Sequence, residues 1–384
     1  MNQLLSTTLL DHFDNDCAPK HGLPGAAYVS ETFKQLEDEH LFAKSWTFVG
    51  FAHQLPLSGD IQPLTTAGQN IFLIRNEKHE IKAFHNVCRH RNLQLVVEPS
   101  NCGRVIRCPY HSWSYDLAGK LKNTPFFGGA AKQPCDGFDL KDNGLAAIDC
   151  EVWHDWIFVN LDSNAVPFAD FVKPLKTMLG DNDVTQYKPV AIVEFGEVAC
   201  NWKLLMENFI EPYHVQFVHK KTTSQPLENH YAVVEGHCLG SAADLSDEQV
   251  ANARVGTLGV TSRYLTLFPN FVIGTYRPDQ LGIHLNIPIN AGTTRQSRVI
   301  YLHKDSEYSE DQIQGLKKLW HSVHLEDHEM TQRLQIGRQS HLAAAGGVLS
   351  PYWEIGVRKF QELVANAIRP GLSNNAPTLF RNQE

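Results

Sequence analysis

The sequence predicts an α+β protein built from a small all-β domain and a larger domain that mixes helices with antiparallel strands. The length of 384 residues suffices for two domains and a substantial core. Short strand candidates separated by turns run from about residue 43 to 162, whereas helical patterns return after Pro167. We therefore expect an N-terminal segment, 1–42, that packs on the larger domain, a small domain at 43–163 and the larger domain at 164–384.

Composition and charge narrow the class of protein. Hydrophobic residues make up 42% of the chain and charged residues 20%, as in ordinary soluble proteins. The formal net charge of −8 argues against a nucleic-acid-binding protein, because no basic patch exists to neutralise phosphates. The start has no basic segment, no run of about eighteen apolar residues occurs, and the cysteines are scattered. We expect a cytoplasmic protein without a membrane span, loosely held before about Ala26 and after Pro370.

Local patterns predict the elements of the first 162 residues. Ser30–Phe42 is expected to form a helix with a serine cap. The apolar runs 71–74 and 81–84 flank the polar turn 76–79, which predicts a hairpin. The aromatic and apolar run Val152–Leu161 predicts a further strand.

The larger domain begins with a strand and ends with helices. Val190–Val198 is expected to be a strand, Asn201–Tyr213 a helix, and 263–303 a set of three or four antiparallel strands. Two helices are expected to close the chain, at Ser309–Val323, which opens with a Ser–Gln capping box, and at Pro351–Ile368.

Two loops of the small domain each pair one cysteine with one histidine: Cys88-Arg89-His90 and Cys108-Pro109-Tyr110-His111. Zinc fingers tend to pair cysteine with cysteine and histidine with histidine. One of each in both loops instead suits a two-iron, two-sulfide cluster in which both thiolates bind one iron and both imidazoles bind the other. Such a Rieske centre has a raised reduction potential because its imidazole ligands are neutral. A mixed-ligand structural zinc site is the alternative.

A second candidate metal site includes His214 and His219. A spacing of five separates two side chains in angle on a regular helix, so both can bind one metal only if the helix loosens, for which Pro212 is a reason. Far downstream, the adjacent carboxylates Glu326 and Asp327 offer a third ligand. Two histidines and one carboxylate form the facial triad of non-haem Fe(II), which leaves positions open for O₂ and substrate. Taken alone, such histidines are more often core or surface residues, but a one-electron carrier needs an acceptor.

The two motifs together, C-x-H…C-x-x-H and N-W-K-x-x-x-E-N-x-x-E-x-Y-H-x-x-x-x-H, resemble the catalytic alpha subunits of Rieske non-haem iron oxygenases. This family includes the aromatic-ring-hydroxylating dioxygenases, and the likeness runs from about residue 30 to 370. It implies a Rieske [2Fe-2S] domain and a helix-grip catalytic domain with a curved antiparallel sheet. The implied activity is that of a mono- or dioxygenase.

Carried over position by position, the resemblance assigns the cluster to Cys88, His90, Cys108 and His111, and the mononuclear iron to His214, His219 and Asp327. Asp327 is preferred to Glu326 because the Gln-x-Gly of the family follows as Gln335-Ile336-Gly337.

Glu211 matches the acidic residue that bridges a histidine of the iron site to a cluster histidine of the neighbouring subunit in a head-to-tail ring, usually a trimer. Glu207 and Asn208 are expected to support the helix and line the approach to iron. Trp113 and Arg91 are expected to pack against the cluster or donate to it. A structural role is the alternative for these four residues.

Two positions in the cluster loops depart from related patterns. Leu93 and Tyr110 stand where respiratory Rieske proteins carry additional disulfide-bonded cysteines, so we expect an oxygenase or ferredoxin type of cluster. Asn92 stands where many relatives have glycine, which leaves the turn of the first loop open.

The implied reaction activates O₂ at Fe(II) with electrons that come from NAD(P)H. The sequence contains no strand–GxGxxG–helix site, no flavin signature and no plant-type cluster motif. A separate reductase, with or without a ferredoxin, must therefore supply the electrons. An electron-transfer protein with a vestigial iron site is the alternative of another class, although a lone carrier needs only the cluster domain.

The substrate is indicated less directly. A glutamate in the form E-x-Y-H resembles the branch that acts on quaternary ammonium compounds such as carnitine and glycine betaine. Tyr264, Phe268, Phe271 and Tyr276 could form an aromatic cage for a methylated cation, with packing in the core of a sheet as the alternative for each. We expect demethylation or C–N cleavage of a quaternary ammonium compound. Hydroxylation of an aromatic ring, or O-demethylation of an arene, is close behind because an aromatic pocket also accepts arenes.

Overall fold

The structure, a computed structural model, describes residues 7–130, 135–162, 164–180, 182–222, 226–245, 261–277 and 279–372. Two compact units make up the chain. Residues 42–165 form the smaller unit, and residues 1–41 and 166–384 form the larger one. Among the described residues, none of the helices combines the length and the apolar character needed to cross a bilayer.

The smaller unit consists of antiparallel strands. Their bounds are β1 Thr47–Phe51, β2 Asp60–Thr66, β3 Gln69–Arg75, β4 Ile81–His85, β5 Ser100–Asn101, β6 Ile106–Arg107, β7 Ser114–Tyr115, β8 Leu121–Asn123, β9 Ala147–Trp153 and β10 Trp156–Asn160. One sheet has the order β1-β10-β9-β4-β3-β2-β5 and a small sheet has the order β6-β7-β8. The hairpin predicted around residues 76–79 is confirmed as β3–β4.

The single strand predicted over Val152–Leu161 is wrong. The chain reverses at His154, whose φ of 62° lies in the left-handed region, and β9 and β10 pair as a hairpin on either side of it. The predicted run therefore covers the end of one strand and the whole of the next. The error arose because histidine is a less obvious turn residue than glycine or asparagine.

The larger unit contains a long antiparallel sheet. Its strands are β11 Tyr187–Val198, β12 His230–Glu235, β13 Cys238–Asp244, β14 Thr261–Leu267, β15 Phe271–Arg277, β16 Gln280–Asn290 and β17 Thr293–His303. In the described part of the chain they are ordered β11-β17-β16-β15-β14-β13-β12. Register shifts interrupt the β11–β17 pairing at two places, and such bulges bend a sheet. The four strands within 263–303 agree with the predicted three or four.

Helices of the larger unit include two that matter for the candidate site. Their bounds are α1 Asp11–Asp14, α2 Ala26–Val29, α3 Glu31–Glu37, α4 Phe168–Phe171, α5 Lys173–Leu179, α6 Trp202–Ile210, α7 Val215–Val218, α8 Glu310–Gly337 and α9 Ile355–Ile368. A π-helical turn, Asp38–Phe42, follows α3. Short 3₁₀ turns occupy Thr7–Leu10, Ala52–Gln54, Leu140–Asn143, Val184–Gln186, Leu227–Asn229, His341–Ala345 and Arg369–Leu372.

Helix α8 is much longer than predicted. Its capping box is confirmed, since the Ser309 hydroxyl accepts from the Gln312 amide and the Gln312 side chain accepts from the Ser309 amide. The predicted end at Val323 is wrong, because the helix runs for 28 residues to Gly337. No proline or glycine interrupts 324–336, and buried polar residues continue along one face at helical spacing. This extension puts Asp327 in the middle of a regular helix.

The expectation of a loose start before Ala26 is wrong for the described residues. Phe13 and Leu23 are 2% and 0% exposed. The Arg358 guanidinium of α9 donates to the carbonyl oxygens of Phe13 and His21 at 3.0 and 2.7 Å. The segment is therefore anchored to the C-terminal helix, which the sequence pattern of neither segment alone reveals. The end predicted to be loose, after Pro370, lies mostly outside the described residues.

A buried ion pair joins helices α3 and α6 of the larger unit. Lys203 Nζ lies 2.6 Å from Glu37 Oε1, with both side chains fully buried, and Trp202 Nε1 donates to Glu37 Oε2 at 3.0 Å. Paired charges of this kind are expensive to break singly, because one partner would be left buried without a counter-charge. The pair fixes the start of α6, the helix that leads to the candidate iron ligands.

Candidate metal centres and substrate cavity

The two Cys/His loops of the smaller unit share one backbone conformation. The Cys88 amide donates to the Leu93 carbonyl at 2.8 Å, and the Asn92 amide donates back to the Cys88 carbonyl at 3.0 Å. The second loop repeats both hydrogen bonds at the same distances around Cys108, with Ser112 in the place of Asn92. Asn92 and Ser112 have φ values of 58° and 57°. Asparagine tolerates this left-handed conformation well, so the loop keeps its turn although glycine is absent.

The donor atoms of these loops fit a two-iron cluster. Cys88 and Cys108 are 1% and 2% exposed, and burial, together with the neighbouring Cys108 sulfur, raises the pKa of the Cys88 thiol. The rings of His90 and His111 lie 4.7 Å apart, and His90 Nδ1 is buried without a hydrogen-bond partner. A buried ring nitrogen with nothing to bind is costly in a protein, and a metal ion would satisfy it. Two adjacent thiols beside two adjacent imidazoles are the donor set of a Rieske cluster.

Trp113 and Arg91 make different contacts beside these loops. The Trp113 indole stacks on the His90 imidazole with ring centres 4.7 Å apart and planes 11° apart. The Arg91 guanidinium lies 5.6 Å from the centre of the Tyr110 ring and donates to its hydroxyl at 3.4 Å. Trp113 is therefore placed to hold a candidate ligand in position, whereas the contacts of Arg91 are with an exposed tyrosine.

Tyr115 is a residue that the sequence reasoning missed. Its hydroxyl oxygen accepts from the Arg89 amide at 3.0 Å and lies 3.3 Å from Cys88 Sγ, so its proton is available to the sulfur. Burial raises the pKa of Tyr115 well above its usual value, which keeps the hydroxyl protonated. A hydrogen bond to a ligand sulfur stabilises the reduced, more negative cluster.

Tyr115→Phe is therefore expected to lower the reduction potential of the cluster. Loss of one hydrogen bond to a charged group, about 1.5 kcal/mol, corresponds to roughly 60 mV for a one-electron couple. Protein-film voltammetry measures the change. Tyr110→Phe is the matched control, because that hydroxyl contacts Arg91. An equal potential in the Tyr115 variant and the wild-type protein would show that the hydroxyl does not bond the sulfur.

The second candidate metal site depends on a break between two helices. Helix α6 ends at Ile210, Glu211 is extended with φ −100° and ψ 141°, and Pro212 follows. The short helix α7 then begins at its cap His214 and ends at its cap His219. The interruption predicted from the five-residue spacing is confirmed. It brings together two imidazoles that a continuous helix would hold apart.

His214, His219 and Asp327 converge on one point. One ligand atom from each lies within 4.8 Å of the others. Asp327 Oδ1 is 3.0 Å from His219 Nε2 and 3.6 Å from His214 Nε2, yet it is buried without a hydrogen bond. Burial alone would favour the neutral acid, but the close contact with His219 and the nearby His214 hold the pKa of Asp327 below its usual value. An ionised, unbonded oxygen facing two ring nitrogens fits a divalent metal ion.

The spacing of the ligand atoms differs between the two candidate metal centres. Within the described residues, the His214–His219–Asp327 group is the one set of three or more His, Cys, Asp or Glu ligand atoms so closely spaced. The four Cys and His ligands of the smaller unit do not meet that spacing. A single tetrahedral zinc ion with bonds of about 2.0–2.3 Å would require it. The arrangement thus favours a cluster with two metal positions over the zinc alternative.

Two further carboxylates orient the imidazoles. His214 Nδ1 donates to Glu211 Oε1 at 2.7 Å, and His219 Nδ1 donates to Glu326 Oε2 at 2.9 Å. These bonds leave both Nε2 atoms as the acceptors that a metal ligand needs. Glu326, the alternative third ligand, is thus placed behind a ligand histidine rather than beside the metal position.

A cavity of about 320 Å³ includes all three candidate iron ligands in its wall. Asn208 of α6 also lines it and hydrogen-bonds Asp327. The expectation that Glu207 lines the same approach is wrong. Glu207 is buried, and it accepts hydrogen bonds from the Tyr28 hydroxyl at 2.7 Å and from Gln361 at 3.0 Å. It therefore anchors the N-terminal segment and α9.

The predicted aromatic cage is only partly present. Tyr264 and Tyr276 line the cavity, but Phe268 and Phe271 do not and are buried in the core. Phe268 follows the end of β14 and packs against Phe360 of α9, with ring centres 5.6 Å apart. The ring of Tyr276 is 4.5 Å from the guanidinium carbon of Arg298, so this face is already occupied by a cation.

Several cavity residues were not foreseen from the sequence. They are Phe209, His230, His284, Arg298, Trp320 and His324. The available signal was the presence of charged or ionisable residues inside otherwise apolar strands, such as Arg298 before the run 299–302. Polar residues at such positions are rare in a core unless they have a function or a partner.

Profiles of two protein families match the chain. The family described as Rieske [2Fe-2S] domain matches residues 45–134, and the family described as ring hydroxylating alpha subunit (catalytic domain) matches residues 182–369. The glycine betaine monooxygenase oxygenase subunit of Pseudomonas aeruginosa strain UCBPP-PA14 is 32% identical over 54% of this chain. That match spans 46% of the relative, about half its length.

Longer matches extend over nearly the whole chain. The carnitine monooxygenase oxygenase subunit of Acinetobacter pittii strain PHEA-2 is 26% identical over 89% of this chain and 93% of the relative. The crystal structure of the quaternary ammonium Rieske monooxygenase CntA superimposes with a TM-score of 0.75 at 23% identity, covering 91% of this chain and 96% of that one. This likeness confirms the predicted α+β fold, with its Rieske domain and its curled antiparallel sheet. The chain belongs to the Rieske non-haem iron oxygenases, as a catalytic alpha subunit with a [2Fe-2S] domain and a mononuclear iron domain.

Proposed function

We propose that this chain is the terminal oxygenase component of a multicomponent system that demethylates a small quaternary ammonium compound or cleaves its C–N bond. The observation that carries the proposal is the 320 Å³ cavity with His214, His219 and Asp327 in its wall, a size suited to a small organic molecule. The glycine betaine and carnitine monooxygenase subunits among the relatives favour this substrate class.

Each metal centre has its own set of residues. The cluster is held by Cys88, His90, Cys108 and His111, and the mononuclear iron by His214, His219 and Asp327. Bound iron supplies the activation of O₂, for which a facial triad leaves positions open. The chain itself orients the two imidazoles through Glu211 and Glu326 and holds the substrate beside them in the cavity.

Electrons reach the oxygenase from NAD(P)H through a separate reductase, with or without a ferredoxin. The sequence offers no dinucleotide or flavin motif for direct reduction. Glu211 links the iron site to a cluster histidine of a neighbouring copy in a head-to-tail ring, a homotrimer. This chain is cytoplasmic.

Demethylation accounts for all atoms and electrons. A trimethylammonium substrate, O₂ and two electrons with two protons from NAD(P)H and solvent give a hydroxymethyl-dimethylammonium intermediate and water. This intermediate breaks its C–N bond to give a tertiary amine, formaldehyde and a proton. One oxygen atom of O₂ thus leaves in formaldehyde and the other in water.

Oxidation of an arene is the second candidate. Phe209, Tyr264 and Trp320 give the cavity an aromatic wall, and the incomplete cage removes a feature that would have favoured a methylated cation. A pure electron carrier with a vestigial iron site is disfavoured, because the three candidate iron ligands converge and two of them are held by further carboxylates.

The test is O₂-dependent formaldehyde release with a surrogate NADH reductase, across betaines, carnitines and methoxyarenes. Formaldehyde from a methylated amine is expected, with no turnover when the reductase is left out. Formaldehyde from methoxyarenes alone would favour the arene alternative. Turnover with NADH and no partner protein would contradict the need for a reductase.

A further inference from the structure

One charged side chain in the cavity wall has no counter-charge beside it. Arg298 on β17 is 1% exposed and lines the cavity, and no carboxylate of the described chain lies within ion-pair distance of it. Its Nη1 atom contacts His284 Nε2 at 3.2 Å and His324 Nε2 at 3.4 Å. Its Nε and Nη2 atoms are buried without any hydrogen-bond partner. The Nε–Nη2 edge of the guanidinium, which can bind a carboxylate through two parallel hydrogen bonds, therefore has no acceptor.

The surroundings of Arg298 do not neutralise its charge. Burial lowers the pKa of Arg298, but an arginine stays protonated in proteins. Burial and the nearby arginine hold the pKa of His284 well below its usual value, and burial does the same for His324, so both imidazoles are neutral acceptors. The two side chains that contact the guanidinium through Nη1 therefore bring no negative charge to it. Asp327 is directed to the histidines of the iron site.

Ring contacts explain only part of this arrangement. The guanidinium carbon is 3.5 Å from the centre of the Trp320 ring and 4.5 Å from that of Tyr276. Such contacts stabilise the two faces of the guanidinium, and they leave the in-plane N–H groups on Nε and Nη2 without an acceptor. Gly282 leaves room for the guanidinium, since a Cβ at this position would lie 2.4 Å from Arg298 Nη2. An unpaired buried charge is costly, so its retention points to a ligand that pairs with it.

We propose that Arg298 binds an anionic group of the substrate, a carboxylate or a sulfonate, within the cavity that also holds the iron site. This inference rests on the proposed oxygenase function and defines its substrate class. A quaternary ammonium substrate is then a zwitterion whose anionic end pairs with Arg298, and a bare cation is repelled. Tyr276 supports the arginine instead of forming a cage for the substrate.

The test compares ligands that share one part and differ in charge. Glycine betaine and choline have the same trimethylammonium group, and salicylate and salicylamide have the same ring, but one of each pair carries a carboxylate. Isothermal titration of the iron-loaded protein is expected to show at least tenfold tighter binding of one carboxylate than of its uncharged or cationic partner. In Arg298→Met this preference is expected to disappear, with choline bound no worse than before or better.

Two controls make the result specific. Arg277→Met removes an exposed arginine from the same cavity wall and is expected to keep the preference for the carboxylate. Arg298→Lys keeps the charge and is expected to keep part of it. Unchanged iron content and the gain or retention of choline binding distinguish loss of the anion site from misfolding.

The outcomes separate this inference from the demethylation proposal. One outcome is that salicylate binds more tightly than salicylamide, that glycine betaine binds no more tightly than choline, and that Arg298→Met removes the salicylate preference. This outcome would support the anion site and contradict a quaternary ammonium substrate. Formaldehyde release from glycine betaine that Arg298→Met leaves unchanged would support demethylation and overturn the anion site. Equal binding of both members of each pair by the wild-type protein would also overturn it.

Discussion

Asp327→Ala is expected to abolish oxygenase activity while leaving the [2Fe-2S] cluster intact. The side chain provides the one carboxylate of the triad, and its Oδ1 lies 3.0 and 3.6 Å from the Nε2 atoms of His219 and His214. Two neutral imidazoles without it offer neither the charge nor the third ligand position of the site. We expect the iron content to fall from about three to about two per chain and turnover to fall by ~1,000-fold or more.

The measurement combines total iron, acid-labile sulfide and the visible spectrum of the cluster with O₂-dependent product formation. Glu329→Ala is the matched control, because it removes an exposed carboxylate from the same helix, whose Oε1 lies 3.5 Å from Arg333 Nη1. It is expected to keep all iron. Full iron content and normal turnover in Asp327→Ala would show that the iron is bound elsewhere and would revive the electron-carrier alternative.

The choice between Glu326 and Asp327 shows how far sequence reasoning reaches here. Adjacent residues of a helix differ in direction by about 100°, so only one of two neighbouring carboxylates can face a given point. The sequence alone offered both, and the resemblance to a known family selected Asp327. In the structure both contact His219, one at Nε2 and the other at Nδ1. The local pattern thus located the pair of carboxylates. The position of His219 in the folded chain was needed to show that Asp327 faces the metal site and that Glu326 orients the histidine.

The aromatic cage shows where local reasoning failed. Side chains alternate between the faces of a strand, so Phe271 and Tyr276, five residues apart, belong to opposite faces of a regular strand. Phe268 lies beyond the last residue of β14, Leu267. Alternation alone could therefore have shown that Phe271 and Tyr276 do not belong to one cage, but not which of the two faces the cavity. The contact between the Arg298 guanidinium and the Tyr276 ring could not have been predicted from the sequence. The two residues lie on different strands, β15 and β17, and their distance depends on how the sheet is assembled.

Glu211→Gln is expected to reduce turnover by about 100-fold even when the iron site is full. Its carboxylate binds His214 twice, at Nδ1 through Oε1 and at the backbone amide through Oε2, at 2.7 and 3.1 Å. Glutamine has one acceptor oxygen, which can keep the bond from His214 Nδ1, but it loses the second acceptor and the negative charge that would hold a cluster histidine of a neighbouring copy. We expect the reduced cluster to be oxidised more slowly than in the wild-type protein when O₂ and substrate are added. Stopped-flow absorbance of the cluster measures this rate.

Glu326→Gln provides the comparison that identifies the cause. Glu326 has the same relation to His219 that Glu211 has to His214, with an Nδ1–carboxylate distance of 2.9 Å, and it also accepts from the Thr222 hydroxyl at 2.7 Å. Its loss is expected to weaken iron binding by about 10–100-fold, with turnover restored when excess iron is supplied. If excess iron restored Glu211→Gln equally well, Glu211 would only orient its histidine. Both variants weaken the support of a ligand histidine. If only Glu211→Gln showed slow oxidation of the cluster, the negative charge of Glu211 would be needed for electron transfer from the cluster to the iron.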